Sequence, residues 1–200
     1  MKAKTWILVG FVLLGAFLWH DSGPIVHEGK GQVAPHQPVQ TDTAADPFTY
    51  RGVFDVRPLA DFQIEARVLS RKRYRLDRAA RLSPVDLALG WGPMSDDELL
   101  SYLRISQSGR WFHWRYRTLP VPRQEVEHNA ANMHLIPADR RVDRAIKSAR
   151  TGDIVRFQGY LVEVLGEDGF EWVSSLTRTD VGAGACDVVF VKEFEVLPRL

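Results

Sequence analysis

Hydrophobic and polar positions divide this chain into three stretches. From Trp6 to Trp19 fourteen residues run apolar and uncharged behind Lys2 and Lys4. A basic start followed by an apolar run is the pattern of a secretory signal or signal anchor. At about 1.5 Å per residue the run reaches about 21 Å, short of a hydrocarbon core of roughly 30 Å. Trp6 and Trp19 suit the two interfaces, however, and the lysines can snorkel. The run ends on Phe17, Leu18 and Trp19, then His20 and Asp21, without the small residues a cleavage site needs. Residues 1–20 therefore read as an uncleaved membrane helix, with secretion after cleavage as the alternative. The positive charges precede the span, which places the rest of the chain outside the cytoplasm.

Residues 21–47 carry Pro24, Pro35, Pro38 and Pro47 and show almost no apolar period. Such a stretch reads as a flexible tether. His27 and His36 lie in it, nine residues apart and without a cysteine, so they read as solvated side chains rather than metal ligands.

Residues 48–200 read as one globular domain. Phe62, Ile64, Ala66 and Val68 alternate within Asp61–Leu69, the signature of a half-buried strand. Trp111–Tyr116 alternates in the same way with one aromatic face. Val142, Ala145, Ile146 and Ala149 fall at i, i+3, i+4 and i+7, so Asp139–Ala149 predicts a helix, with Gly152 beyond its C-terminus. Residues 154–165 and 170–176 flank the turn Gly166–Gly169 and predict a hairpin, and 188–196 predicts a closing strand. Ser83-Pro84-Val85-Asp86 reads as the cap and first turn of a short helix ending near Gly90. Ser95–Glu98 reads as a capping box for a second, carrying Leu99, Leu100 and Leu103. The fold class that follows is α+β: a small β-rich, partly closed barrel-like domain with about three short helices, preceded by the membrane helix.

Composition narrows the function without naming it. The net charge is +1 over 200 residues, so there is no global signature for nucleic acid. Cys186 is the single cysteine, so no intramolecular disulfide can form. The chain has no phosphate loop, dinucleotide glycine pattern, His-Glu-x-x-His zinc motif or Gly-x-Ser-x-Gly elbow. No cofactor or metal is expected.

Three stretches are distinctive: Ser83–Asp96 (SPVDLALGWGPMSD), Asn132–Ala138 (NMHLIPA), and Ser174–Asp180 with Gly182–Cys186 (SSLTRTD, GAGAC). Together they resemble an uncharacterised family of bacterial proteins with an N-terminal membrane segment. The resemblance spans about residues 60–195 and implies a bacterial envelope setting. It supplies no activity and no catalytic residues.

Two sets of residues carry candidate chemistry. Arg67, Arg71, Lys72, Arg73, Arg75, Arg78 and Arg81 crowd seven bases against the single acid Asp77. An exposed stripe of this kind attracts phosphates or head groups. Arg71, Lys72 and Arg73, with Arg178 and Asp180 of the polar run after residue 174, are the candidate ligand contacts. The second set is Cys186, His134 and Asn132. A thiolate nucleophile needs a base, and the base needs an orienting group. The Gly182–Ala185 backbone before the cysteine would serve a developing oxyanion. The favoured reading is a membrane-anchored binding or assembly module of the envelope, facing the periplasm. Its partner would be an envelope protein or an anionic head group. The alternative is a Cys/His-dependent hydrolase or transferase.

Overall fold

The computed structural model describes residues 24–177 and 186–198. Ten strands run in chain order: β1 (Val39–Thr41), β2 (Phe48–Tyr50), β3 (Phe54–Arg73), β4 (Val85–Gly90), β5 (Leu103–Ser108), β6 (Trp111–Tyr116), β7 (Ala130–Pro137), β8 (Ile154–Gly166), β9 (Phe170–Val173) and β10 (Asp187–Val196). Among the described residues the α-helices are short: α1 (Asp97–Ser101), α2 (Arg123–His128) and α3 (Arg140–Ser148).

The mostly β architecture turns on β3, which is 20 residues long. One edge of β3 takes β2, β1 and β4 in succession, and its other edge pairs antiparallel with β8 from Phe54 to Arg67. β4 pairs antiparallel with β7, β7 parallel with β10, and β10 antiparallel with β8. Five strands thus close a ring, with β9 continuing the edge of β8 that β10 takes and β5–β6 as a separate ribbon. The expected partly closed barrel is this ring, which is not a true barrel. The two ring neighbours of β3, β4 and β8, overlap along it only at Arg67. Pro58 sits where the β3–β8 register slips, as a proline inside a paired strand must.

Inside the ring, Phe62, Ile64, Ala66 and Val68 meet Leu87, Leu89, Met133, Leu135 and Phe157, and α3 closes the cluster with Val142, Ile146 and Ala149. Asp139 caps α3 by accepting from the Val142 N–H at 2.8 Å. A second cluster on the other face joins Tyr50, Phe54, Ile136, Val164 and Phe190. A third, around Leu69, Met94, Leu99, Leu103 and Val126, seats the β5–β6 ribbon.

Two expectations for residues 83–98 are corrected. The helix expected from Ser83 is the strand β4, with all six of its residues buried. The Ser83 hydroxyl donates to the Val85 carbonyl and bonds Asp86 instead of capping a helix. The second expected helix does form as α1, but Asp96 is its cap, accepting from Glu98 N–H. Ser95 donates instead to the Gly92 carbonyl and accepts from Ala34 N–H.

The stretch read as a tether is seated on the domain from Pro24 onward. Ile25 N–H donates to the Thr151 carbonyl at 2.9 Å, Val33 and Ala34 are buried against Ile154, and β1 pairs with β3. Gln37 accepts from the Trp91 indole at 2.8 Å. Prolines forecast irregular backbone, which this is; they do not forecast absence of contact. His27 is buried rather than solvated, and its Nε2 donates to the Gly152 carbonyl at 2.8 Å. The basic stripe is broken as well. Arg67 is buried, bonded to the Ser95 and Ile25 carbonyls and paired with Asp97.

Candidate functional site

β4 and β7 lie side by side, with Asp86 opposite His134 and Ala88 opposite Asn132. Directly opposed residues share a face of the sheet. The tip of the β5–β6 hairpin folds over this face. Ser108 and Trp111 form the last pair, leaving Gly109 and Arg110 as a two-residue loop with φ of 55° and 68°. Two positive φ values mark the primed turn that suits a twisted ribbon, a conformation in which arginine is disfavoured.

What holds Arg110 there is its guanidinium. Nη1 donates to Asp86 Oδ1 at 2.8 Å, and Nη2 to Asp77 Oδ1 at 2.7 Å and to the Ser83 carbonyl at 3.0 Å. Nε donates to Asp77 Oδ2 at 3.2 Å. The guanidinium lies 4.0 Å over the Tyr74 ring and 5.4 Å from that of Trp172. Burial opposes ionisation of Asp77, but the hydrogen bonds and charge of Arg110, with the Ala80 N–H, outweigh it and hold the carboxyl below its ordinary value. Burial pushes the Tyr74 hydroxyl up.

Asp86 is fully buried, and its second oxygen lies 2.9 Å from His134 Nδ1. The angle falls short of a hydrogen bond, and among the described residues neither atom has any hydrogen-bond partner. The distance outweighs the angle here: two buried polar atoms this close satisfy each other when Nδ1 carries a proton. A carboxylate at Nδ1 leaves Nε2 as the acceptor, which is how a general base is oriented. The Trp172 ring covers the imidazole at 4.5 Å. Arg110 shares the Asp86 charge and so tempers what the carboxylate gives His134.

Asn132 and His134 lie on one face of β7. The Asn132 amide is committed elsewhere: Oδ1 accepts from Gln107 at 2.6 Å and Nδ2 donates to the Arg110 carbonyl at 3.0 Å. Its role is to hold the hairpin tip down. The residue facing His134 Nδ1 is Asp86, which the sequence reading places at a helix start. Cys186 is half-buried and immediately precedes β10, whose Asp187 and Val188 stand opposite Met133 and His134. Its carbonyl accepts from Ser175 N–H at 3.2 Å. The parallel pairing of β10 with β7 thus delivers the cysteine to the start of the strand beside His134.

The other candidates fare differently. Arg71 donates to the Lys147 and Ala149 carbonyls at 3.0 and 2.7 Å, and Arg73 to the Lys147 carbonyl at 2.9 Å. Both tie down the C-terminus of α3, while Lys72 is exposed. Arg178 and Asp180 lie outside the described residues, as do residues 1–23 and with them the expected anchor. Among the described residues no helix is long and apolar enough to cross a membrane, and no group of three His, Cys, Asp or Glu is placed to hold a metal ion. A cleft of about 630 Å³ surrounds the Arg67–Asp97 pair, and its lining contains neither His nor Cys.

No family model matches the chain, and no curated protein or solved structure matches it.

Proposed function

We propose that this is a Cys/His-dependent hydrolase or transferase, held at a bacterial cytoplasmic membrane with its domain facing the periplasm. The observation that carries the chemistry is the buried Asp86 carboxylate 2.9 Å from His134 Nδ1, with His134 on β7 and Cys186 immediately before β10, which runs parallel beside it. A binding or assembly module is the second reading. Two of its three adjacent basic contacts, Arg71 and Arg73, are engaged by helix carbonyls, and the stretch expected as its tether touches the domain at Ile25, Val33, Ala34 and β1.

In the proposed reaction the Cys186 thiol proton passes to His134 Nε2. The thiolate attacks an acyl carbon, and the leaving group departs with the proton from Nε2. Water or a second nucleophile then opens the thioester and restores the thiol. Asp86 keeps the imidazole in the tautomer this requires.

Iodoacetamide labelling of the native full chain against pH tests the reading. The thiol is expected to titrate below the unperturbed value near 8.5, and His134→Gln to move the midpoint up toward it. A thiol that labels only after unfolding, or a profile indifferent to His134→Gln, refutes it. Topology is tested separately by a C-terminal reporter active only outside the cytoplasm, with carbonate extraction of membranes. A silent reporter or a soluble chain refutes the placement.

A further inference from the structure

The β5–β6 ribbon has two unlike faces. Leu103, Ile105 and Trp114 point into the domain. On the outer face Arg104 stands directly opposite Arg115, and Arg117 follows, all three exposed. Like charges placed opposite each other on antiparallel strands destabilise the pairing. Some surface arginines of the fold meet acids: Arg57 meets Glu163, Arg156 meets Glu65 and Arg123 meets Glu127. Arg104, Arg115 and Arg117 have no such counter-ion among the described residues. They line one cleft of about 510 Å³, shared with the exposed rings of Tyr102 and Tyr116.

From this juxtaposition we infer that Arg104, Arg115 and Arg117 form a binding site for a phosphate-bearing ligand. Guanidinium forks match the oxygens of a phosphate, which would convert the cross-strand repulsion into two bonded contacts. The flanking tyrosines offer flat apolar area with a polar tip for the remainder of the ligand. The phosphate could belong to a soluble compound or to a lipid head group. The inference is independent of the chemistry proposed for His134 and Cys186.

The test uses the full chain in a neutral maltoside detergent at low salt. Inorganic pyrophosphate is titrated in one arm and phosphatidylglycerol is added to the micelles in the other, with binding read by calorimetry and melting temperature. The native chain is expected to bind at least one anion with Kd below about 1 mM, weakening as salt screens the arginines. Pyrophosphate binding identifies a soluble phosphate, and a response to phosphatidylglycerol alone identifies a head group. The Arg104→Gln/Arg115→Gln variant should bind at least tenfold more weakly, yet melt without anion at a temperature equal to or above that of the native chain. Arg57→Gln, which removes a paired surface arginine, should leave anion binding unchanged. Failure of both anions, an unaltered response in the double variant, or a lower melting temperature for it without anion overturns the proposal.

Discussion

Arg110→Gly sets two physical effects against each other. The backbone at residue 110, with φ of 68°, favours glycine, and relief of a left-handed arginine is worth about 1 kcal/mol. Against this, the substitution removes the guanidinium that bridges Asp77 and Asp86. Asp86 is wholly buried, and taking away one partner of a buried charge costs about 3–5 kcal/mol. The Ser83 hydroxyl and His134 remain beside Asp86, which places the loss toward the lower end. A net destabilisation of about 2–4 kcal/mol follows. At about 2–4 °C per kcal/mol for a domain of this size, the melting temperature should fall by about 4–16 °C. Thermal unfolding of the full chain followed by circular dichroism at neutral pH reads it directly. Adding Asp86→Asn removes the stranded charge and should restore part of the loss, so the pair shows coupling in a double-mutant cycle. A melting temperature unchanged or raised in Arg110→Gly would mean that the hairpin tip is not locked by this network.

Three further outcomes are expected. Asp77 has its carboxyl held below the ordinary 3.8, so its contribution to stability is present above that value and is lost as pH falls through the lower folded value. Asp77→Asn should flatten the acid limb of the stability profile below about pH 4, measured by urea unfolding, and leave its shape above pH 6 unchanged. Gly152→Ala combines a φ of 91° with a Cβ that would collide with the Ile25 carbonyl. It should detach the segment beginning at Pro24, seen as new proteolytic cleavage near residues 24–30. Arg71→Ala removes both bonds to the end of α3 and should cost about 1–3 kcal/mol, whereas Lys72→Ala should stay within about 0.5 kcal/mol, both by chemical denaturation.

The parts of this fold that were legible in the sequence are those fixed by local signals. The alternation from Phe62 to Val68 marks part of β3, Asp139 and the 3.6-residue period mark α3, and Gly166–Gly169 marks the β8–β9 turn. β4 carried no such signal. A strand buried on both faces has no period of two, and the Ser-Pro before it imitates a helix start. Counting bases failed for a related reason: composition treats Arg67, buried under Ser95 and Ile25, like exposed Lys72. The location of a side chain depends on partners that are distant in sequence.

The candidate site shows the same division more sharply. Asn132 and His134 share a face because i and i+2 do so in a strand, but the sequence reading assigns no strand to residues 130–137. Bringing Asp86 to His134 requires the β4–β7 register, and bringing Cys186 alongside requires the parallel β7–β10 pairing. Neither leaves a trace at short range. The same holds for Arg110, which as sequence is the end of a polar run. Only its backbone shows that a non-glycine residue is kept in a left-handed turn, and only its bonds show why. Strain retained at one residue and a carboxylate buried beneath it are parts of one arrangement. The hairpin tip bears a conformational cost so that its guanidinium can neutralise Asp86, and Asp86 is thereby kept dry and fixed against the one imidazole on that face of β7.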